Sequence, residues 1–436
     1  MLRTWDLTGA NWPTGIKRRL EVPRSRIDVD SVMAATKEII EQVRVGTQVT
    51  VLSLSEKFDG IRPQSLRVPQ EVIDQAVADS TEDFRAALLE AASRVSVVSK
   101  AQLPTQIETE VISGGLVTGH WRAIERVGLY VPGGRAAYPS SVVMNVVPAQ
   151  VAGVGSMMIM SPPNEMNHGW PHKSILAAAG LLGISEIYAV GGAQAIAMAA
   201  YGIGCDTVDL VTGPGNIYVT AAKRALAGTV GIDSEAGPTE VGIIADESAD
   251  PKFVAADLIS QAEHDVVAAA VLITTSKKLI DQVNQQLEIQ ITKTKHKERI
   301  TQALTGVQSM AILVDTMDAA IEVSNSYAAE HLEIHTANAR QVAEKVKNAG
   351  AVFIGNYSPV SLGDYLAGSN HVLPTGGCAC HTAGLSVLTF LKLVNFIEYS
   401  NEALVNSADM LRTLALSEDL PAHWEAVNIR LAARDE

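Results

Sequence analysis

Two side chains that could hold a metal ion lie close together within residues 257–265, Asp-Leu-Ile-Ser-Gln-Ala-Glu-His-Asp. Gln261 and His264 are three residues apart, so on a helix they would project from nearly the same side. An amide oxygen and an imidazole nitrogen presented together can bind a divalent metal. A solvated helix face explains the same pattern more simply, so a metal site here depends on further ligands elsewhere in the chain.

A carboxylate and an imidazole are adjacent at Glu330 and His331, where a helical pattern gives way to a strand-like one. Neighbouring side chains on a helix diverge, so the two groups could approach a substrate from different sides. Such a pair suits general acid–base catalysis. A polar helix end is the alternative, and the spacing alone favours it.

Two later stretches offer carboxylates and imidazoles that could complete such a site. Residues 361–377 follow a predicted strand and contain Asp364 and His371 among glycines. An aspartate in a loop after a strand is an ordinary position for a hard oxygen ligand. Near the end of the chain, Glu418 and His423 supply one more carboxylate and imidazole.

The elements that must position these groups form two series of alternating strand-like and helical segments. This alternation predicts βαβ units and parallel sheets, hence an α/β fold with two incomplete Rossmann-like domains. A helix is predicted to begin after Asp250, a good N-cap, with Pro251 in its first turn. The predicted strands are residues 157–160, 187–190, 208–211, 241–245, 271–275, 311–314 and 351–355.

We expect four parts along the chain. Residues 1–128 read mostly as helices, with long periodic segments over 28–45 and 69–99, and should pack with the second α/β domain. Residues 129–239 form the first α/β domain, which carries the glycine turns. Residues 240–383 form the second, with the metal and acid–base candidates, and residues 384–436 form a small, mainly helical tail.

Composition narrows the class of protein. The 436 residues include 34 basic and 48 acidic ones, a net charge of −14 without any basic cluster, which argues against nucleic acid as a partner. The start lacks an apolar signal core, and the longest apolar run, 266–273, is too short for a membrane span. Three cysteines are too few for a disulfide framework. We therefore expect a cytoplasmic protein without a membrane segment.

Three glycine-rich turns lie in the first series, at residues 130–134, 191–194 and 213–216. The last two directly follow a strand-like run and precede a helix. Backbone amides and helix N-termini at such strand ends suit the pyrophosphate of a dinucleotide. However, G-x-G-x-x-G is absent, and tight βα turns also use glycine for structural reasons. The two interpretations stay open.

Eight motifs follow one another in order along the chain and are highly specific in combination. They are Gly-Leu-Tyr-Val-Pro-Gly-Gly (128–134), Val-Gly-Gly-Ala-Gln-Ala (190–195), Gly-Pro-Gly-Asn-Ile-Tyr-Val (213–219), Ala-Gly-Pro-Thr-Glu (236–240), Gln-Ala-Glu-His-Asp (261–265), Ala-Glu-His-Leu-Glu (329–333), Leu-Gly-Asp-Tyr (362–365) and Asn-His-Val-Leu-Pro-Thr (370–375). Through these motifs the sequence resembles the histidinol dehydrogenase family across nearly the whole chain.

The resemblance implies the oxidation of L-histidinol to L-histidine through L-histidinal with two NAD, the last steps of histidine biosynthesis. It also implies a homodimer with shared active sites and one Zn²⁺ per subunit. The implied metal ligands are Gln261, His264, Asp364 and His423, the last reaching over from the partner subunit.

The same resemblance implies a role for each remaining site residue. Glu330 and His331 would be the acid–base pair, in which His331 takes the alcohol proton and Glu330 activates the water that hydrates the aldehyde. The metal would position the substrate more than it would activate water. The implied NAD contacts are Tyr130, Gln194 and Asn216, and the implied substrate contacts are Thr239, Gln261, His264, His331, Asp364, His371, Glu418 and His423.

The chain departs from the common family pattern at Thr239, where the family has serine. The hydroxyl is retained, so we expect the contact to survive in a slightly tighter pocket. We assign no role to residues 378–381, Cys-Ala-Cys-His, a weak metal motif without a second cysteine pair. Two alternatives remain: a related zinc and NAD dehydrogenase of another small polar alcohol, or an inactive NAD- or metal-binding scaffold.

Overall fold

The computed structural model describes residues 1–9, 20–25, 28–133, 137–235 and 237–432. Within these ranges the chain forms two parallel sheets flanked by helices and one small antiparallel sheet. The expected α/β class with two parallel sheets is confirmed. Gly134 and Ala236, which belong to motifs quoted above, lie outside the described residues. No helix in these ranges is both long and apolar enough to cross a membrane.

The elements follow one another in a βαβ pattern over most of the chain. The strands are β1 (Arg3–Asp6), β2 (Ile107–Ile112), β3 (Gly115–Ala123), β4 (Arg126–Tyr130), β5 (Ser156–Ser161), β6 (Ile187–Ala189), β7 (Leu210–Thr212), β8 (Gly231–Ile232), β9 (Glu240–Ala245), β10 (Ala269–Thr274), β11 (Met310–Leu313), β12 (His331–His335), β13 (Ala351–Ile354) and β14 (Leu391–Tyr399). The helices are α1 (Val29–Arg44), α2 (Gln48–Asp59), α3 (Gln70–Asp79), α4 (Glu82–Ala101), α5 (Pro139–Ala152), α6 (Lys173–Leu181), α7 (Gly192–Tyr201), α8 (Ile217–Leu226), α9 (Pro251–Ala262), α10 (Lys277–Ile291), α11 (Lys297–Thr305), α12 (Met317–Tyr327), α13 (Ala339–Ala343), α14 (Val360–Tyr365), α15 (Asn401–Ser417) and α16 (Pro421–Ala432).

The first sheet has the order β6-β5-β4-β7-β8, and all of its pairs are parallel. Successive residues of a strand face opposite sides, so Leu129 enters one core with α3–α6, and Tyr130 enters the other with α1, α2, α7 and α8. The N-terminal helices α1–α4 therefore pack on the first sheet. Our expectation that they pack with the second α/β domain is wrong, because an apolar helix face does not reveal which sheet covers it.

The second sheet has the order β1-β11-β10-β9-β12-β13 and is also parallel throughout. Val241 and Ile243 of β9 pack in a core with α9, α10 and α11, whereas Ile244 packs on the opposite side with α12. Both faces of the sheet are thus covered, which explains why β10 and β11 are apolar without alternation. From the N-terminal part of the chain, β1 joins this sheet beside β11.

Helix α9 begins as its sequence predicts. The Asp250 side chain accepts a hydrogen bond from the Lys252 N–H at 2.8 Å, and Pro251 occupies the first turn, where its missing N–H is not needed. The helix ends at Ala262, so His264 lies just beyond it. The His264 N–H still donates to the Gln261 carbonyl oxygen at 3.3 Å, so the turn continues the helix and keeps the i, i+3 relation of the two residues.

Two further boundaries differ from expectation. The predicted helix over residues 69–99 is interrupted, because Thr81 caps a new helix by accepting a hydrogen bond from the Phe84 N–H.

The tail is helical in α15 and α16, but the strand β14 precedes these helices. This strand pairs antiparallel with β3 from Leu391 opposite Ala123 to Tyr399 opposite Gly115, and β2 lies on the other side of β3.

Candidate active site

The site lies where the carboxyl edge of the first sheet meets the amino edge of the second. The carboxyl ends of β4, β6 and β7 carry the glycine turns, and the amino ends of β9 and β12 carry Thr239 and Glu330. A cavity of about 710 Å³ connects the two edges. Its wall includes Tyr130, Gln194 and Asn216 from the first side and His264, Asp265 and Arg299 from the second.

The three residues expected at the cofactor all contact this cavity, in different ways. The Tyr130 hydroxyl accepts a hydrogen bond from the Gly192 N–H at 3.1 Å, and burial raises the pKa of the phenol, which keeps it neutral. Gln194 is 1% exposed, and its Nε2 has no hydrogen-bond partner among the described residues. The exposed Asn216 caps α8 by accepting from the backbone N–H groups two and three residues later.

The turn at Gly213 is fixed by its own close packing. Its φ of +109° lies in a region that favours glycine, and a Cβ there would be 2.0 Å from the carbonyl oxygen of Tyr130. The Gly213 N–H donates to Asp233 at 2.8 Å, and its carbonyl accepts from the Lys223 ammonium at 3.1 Å. A buried ion pair joins Lys223 to Asp233. The backbone of this turn is therefore held in one conformation.

A chain of hydrogen bonds connects the second edge of the cavity. Nε2 of Gln261 donates to the Thr239 hydroxyl at 2.8 Å, and this hydroxyl donates to Oε2 of Glu330 at 2.6 Å. The Glu240 N–H also donates to that carboxylate oxygen, at 2.9 Å. Because Nε2 of Gln261 is engaged, its Oε1 points elsewhere, and this buried oxygen has no partner within the part of the chain that the structure describes. It is a free acceptor, as a metal ligand must be.

The Glu330 carboxyl group is buried, and burial raises its pKa. The neighbouring His331 and the hydrogen bond from Thr239 partly offset this effect. Glu330 directly precedes β12, and His331 is the first residue of that strand. The pair lies at the expected change from helix to strand, and the alternative of a polar helix end is wrong, because the helix stops at Tyr327 with Ala328 in a left-handed conformation. The two side chains lie side by side, with Nδ1 of His331 3.5 Å from Oε2 of Glu330.

The tautomer of His331 follows from its surroundings. Its Nδ1 lies 3.2 Å from the carbonyl oxygen of Glu240, which can only accept, so Nδ1 carries the proton. The opposite nitrogen, Nε2, is buried without a hydrogen-bond partner among the residues described, 3.9 Å from Oδ1 of Asp364. An unprotonated, unengaged imidazole nitrogen is suited to accept a proton from a substrate.

Asp364 and His371 complete the wall beside His331. Asp364 lies in α14, not in a loop as we expected. Nδ1 of His371 is 3.0 Å from the Asp364 carbonyl oxygen, and its Nε2 is 3.1 Å from the Ser141 hydroxyl. Burial lowers the pKa of His371, and His331 and His264 are near enough to lower it further. Asp364 and His371 thus lie beside His331, and carboxylate and imidazole groups are donors that zinc accepts.

Glu418 and His423 do not join this group within one chain. Both are exposed, at the junction of α15 and α16, and in the described part of the chain neither lines the cavity nor hydrogen-bonds to a site residue through its side chain. The tail is attached to the body through β14 and β3.

Asp59 is a cavity residue that the sequence motifs did not indicate. Asp59 ends α2 and lines the cavity near Tyr130, and burial raises its pKa to about 6. Its Oδ2 is buried without a hydrogen-bond partner among the described residues, so it is free to accept from a ligand hydroxyl. The sequence around it, Phe-Asp-Gly-Ile-Arg-Pro, indicated only a helix break. An acidic residue at the last position of a helix, where it opposes the dipole, was the signal that could have identified it.

Comparisons with known proteins agree in sequence and in structure. The family profile described as histidinol dehydrogenase matches residues 22–431. A histidinol dehydrogenase of Thermobifida fusca (strain YX) is 56% identical over 419 residues, 96% of each chain. One of Mycobacterium tuberculosis (strain ATCC 25618 / H37Rv) is 53% identical over 432 residues, 98% of this chain and 97% of the relative.

A solved structure extends the agreement to the whole fold. The crystal structure of histidinol dehydrogenase from Elizabethkingia anophelis matches with a TM-score of 0.92 at 34% identity, over 100% of this chain and 99% of that one. Sequence and structure thus match from end to end. The chain therefore belongs to the histidinol dehydrogenase family, a family of NAD-dependent oxidoreductases.

Proposed function

We propose that this chain oxidises L-histidinol to L-histidine through L-histidinal, with two NAD and one zinc ion per site. The observation that carries the proposal is the hydrogen-bond chain from Gln261 through Thr239 to Glu330. It leaves Oε1 of Gln261 free as a ligand and holds Glu330 beside His331, whose Nε2 is free as a base. This arrangement supports metal binding and proton transfer at one point.

The proposed zinc ligands are Gln261 through Oε1, His264, Asp364 and the partner subunit's His423. When bound, zinc would hold the amine and imidazole of the substrate and keep the intermediate aldehyde from escaping. His264 reaches the cavity wall, and Asp364 lies beside His331. The chain thus offers three of the four ligands from one subunit, which leaves one position for a residue from elsewhere.

His331 and Glu330 would divide the proton transfers. Nε2 of His331 would take the proton of the substrate hydroxyl. Bound NAD would supply the acceptor for the hydride that leaves the carbon bearing this hydroxyl. Glu330 then removes a proton from the water that adds to the aldehyde. Its buried position raises the pKa of the carboxyl group, which makes it a stronger base once it is ionised. The hydrated aldehyde would then lose a hydride to a second NAD and a hydroxyl proton to solvent, which would give the acid.

NAD would lie along the first side of the cavity. Tyr130, Gln194 and Asn216 are the proposed contacts, and the N-terminus of α7 opens beside them. Asp59 would add an acceptor for a ribose hydroxyl, since it lines the cavity and its Oδ2 has no hydrogen-bond partner among the described residues. The volume of about 710 Å³ falls within the usual range for a cofactor or substrate site.

The remaining substrate contacts come from both chains of a proposed homodimer. Thr239 and His371 are in place in one chain, and Glu418 with His423 would come from the partner's tail. Exposed apolar side chains on the tail support burial against a second copy, since large apolar patches commonly mark interfaces. Among them are Phe396, Ile397, Met410, Leu414, Leu416 and Leu420.

The proposal also covers the domain boundaries of the chain and its cellular compartment. We divide the chain into residues 1–128, 129–239, 240–383 and 384–436, with the change that α1–α4 belong to the first sheet. We also place the protein in the cytoplasm, where NAD and the substrate would be available.

A direct assay tests the function. Purified enzyme is given L-histidinol and NAD, and NADH formation is followed before and after a strong chelator and after zinc is restored. We expect two NADH per histidinol consumed, loss of turnover on chelation and recovery with zinc, while circular dichroism stays unchanged. Another small polar alcohol as the preferred substrate, or NAD binding without turnover, would contradict the proposal.

A further inference from the structure

A second group of metal-binding side chains lies at the opposite end of β12 from His331. It consists of Asp257 on α9 with Glu333 and His335 on β12, and we call it the inner cluster. One ligand atom from each residue lies within 4.8 Å of the others. The Glu333 and His335 side chains are 1% and 2% exposed, and that of Asp257 is 14% exposed. No step of the proposed function uses these residues.

The charges of the inner cluster need compensation. Asp257 and Glu333 are two carboxyl groups in contact in a buried place, where two unneutralised negative charges are strongly unfavourable. Burial and Glu333 raise the pKa of Asp257 to about 8. Burial alone lowers the pKa of His335, but the two carboxylates more than offset this and raise it. Neutrality is reached with two bound protons, one on Asp257 and one on His335, or with one divalent cation in their place.

The distances favour the cation. Nε2 of His335 lies 3.4 Å from Oε2 of Glu333 and 3.5 Å from Oδ2 of Asp257. Charge-assisted hydrogen bonds are shorter, about 2.7–2.9 Å. Ligand atoms about 2.0–2.1 Å from a tetrahedral zinc ion are separated by roughly 3.4 Å, which follows from the geometry of a tetrahedron. Nε2 of His335 thus has the separation from each carboxylate oxygen that two ligands of one ion have, and the two carboxylate oxygens lie within 4.8 Å of each other.

The second oxygen of Glu333 is already engaged in a way that fixes the carboxylate. Its Oε1 accepts a hydrogen bond from the Val360 N–H at 2.9 Å, at the start of α14. The other oxygen, Oε2, is thereby directed towards His335. A ligand held by a second hydrogen bond is typical of built metal sites.

We propose that Asp257, Glu333 and His335 form a second metal site, which binds a divalent ion such as zinc through two carboxylates and one imidazole. A fourth position is open to water. The site would link α9, β12 and α14, which also carry Gln261, His331 and Asp364. Its contribution is therefore structural, since it joins the three elements behind the candidate active site. This inference does not depend on the proposed function.

Counting zinc tests the inference. The protein is produced in zinc-supplemented minimal medium and desalted, and zinc per chain is measured by inductively coupled plasma mass spectrometry. We compare the wild type, His335→Gln, His264→Asn combined with Asp364→Asn, and all three changes together. We expect about two, one, one and zero zinc ions per chain. One zinc ion in both the wild type and His335→Gln would overturn the inner site and leave protons as its counter-charge.

A second measurement covers the case in which His335→Gln does not fold. The protein with His264→Asn and Asp364→Asn keeps the inner cluster intact, and it is stripped of metal and titrated with Co²⁺. We expect visible d–d absorption that saturates at one ion per chain, with a higher melting temperature. Absence of saturable binding would overturn the inference. If His264→Asn with Asp364→Asn leaves the zinc content unchanged while His335→Gln lowers it, the active-site assignment fails and the inner site stands.

Discussion

At the scale of single residues, one hydroxyl group connects the proposed metal ligand Gln261 to the proposed base Glu330. The Thr239 hydroxyl accepts from Gln261 and donates to Glu330, so both of its hydrogen-bonding roles are used. It fixes the amide of Gln261 so that Oε1 is left without a hydrogen bond, and it stabilises the ionised form of Glu330. A serine could make both bonds, which explains how threonine can replace the serine of the common family pattern.

The division of labour between Glu330 and His331 gives the first mutational prediction. Glu330→Gln should slow the oxidation of supplied histidinal most, by roughly 10²–10⁴-fold, because that step needs an activated water. His331→Asn should slow the oxidation of histidinol at least as strongly. Each step is measured separately by NADH formation from histidinol and from histidinal. Equal loss of both steps in both variants would contradict this assignment.

At the scale of elements, local patterns predicted most of the parallel sheets and the start of α9. They did not predict which elements meet. The apolar faces of α1–α4 required a partner, but nothing local distinguished the first sheet from the second. The strand β14 was missed because its partner β3 lies far away in the sequence. The break between α3 and α4 had a readable signal, Ser80-Thr81 before two acidic residues, which we did not use.

The site was predictable in its residues but not in its connections. The spacing of Gln261 and His264 suggested a metal, although His264 lies just beyond the end of α9, and the family resemblance supplied the roles. The bond from Thr239 to Glu330 joins positions 91 residues apart, so no local pattern contains it. The inner cluster joins α9 to β12 in the same way. Such contacts follow only from the parallel pairing of β9 with β12.

The turn after β7 gives a prediction at this scale. Gly213→Ala would place a methyl group 2.0 Å from the Tyr130 carbonyl oxygen, in addition to the strain of a positive φ. We expect a loss of at least about 2 kcal/mol in the free energy of unfolding and a clearly raised KM for NAD. Denaturant titration measures the free energy of unfolding, and steady-state kinetics measures the KM for NAD.

Gly228→Ala is the matched control for this change. Gly228 has a similar φ of +96°, but a Cβ there would meet no atom within 4 Å. It should show the backbone strain alone, of about 1 kcal/mol, with an unchanged KM for NAD. If the two variants behave alike, the close contact with Tyr130 is not what fixes the turn.

At the scale of the whole molecule, the body (residues 1–383) and the tail (residues 384–436) carry different parts of the proposed site. The body supplies Gln261, His264 and Asp364, whereas His423 is exposed on α16. This separation favours a site completed by a second copy of the chain.

Complementation between two inactive variants tests this sharing. His423→Asn and His331→Asn homodimers should each be nearly inactive. When the two are refolded together in equal amounts, half of the dimers are mixed, and one of the two sites in each mixed dimer is intact. About a quarter of wild-type activity should therefore return, as measured by NADH formation.

The separately refolded variants, combined only after refolding, provide the control for complementation. They should stay at baseline unless subunits exchange. If His423 serves its own chain, every site in every dimer carries one defect, and co-refolding would restore nothing.

The pairing of β14 with β3 also has a consequence for synthesis of the chain. β2 and β3 leave the ribosome early, whereas β14 emerges only near the end. Until then they form a two-stranded hairpin, which is marginal on its own and leaves an edge of β3 open to other nascent chains. The exposed Ile107, Val111 and Ile112 on β2 add to the hazard. The order of translation, more than the stability of the finished fold, therefore determines how long this part of the protein is prone to aggregate.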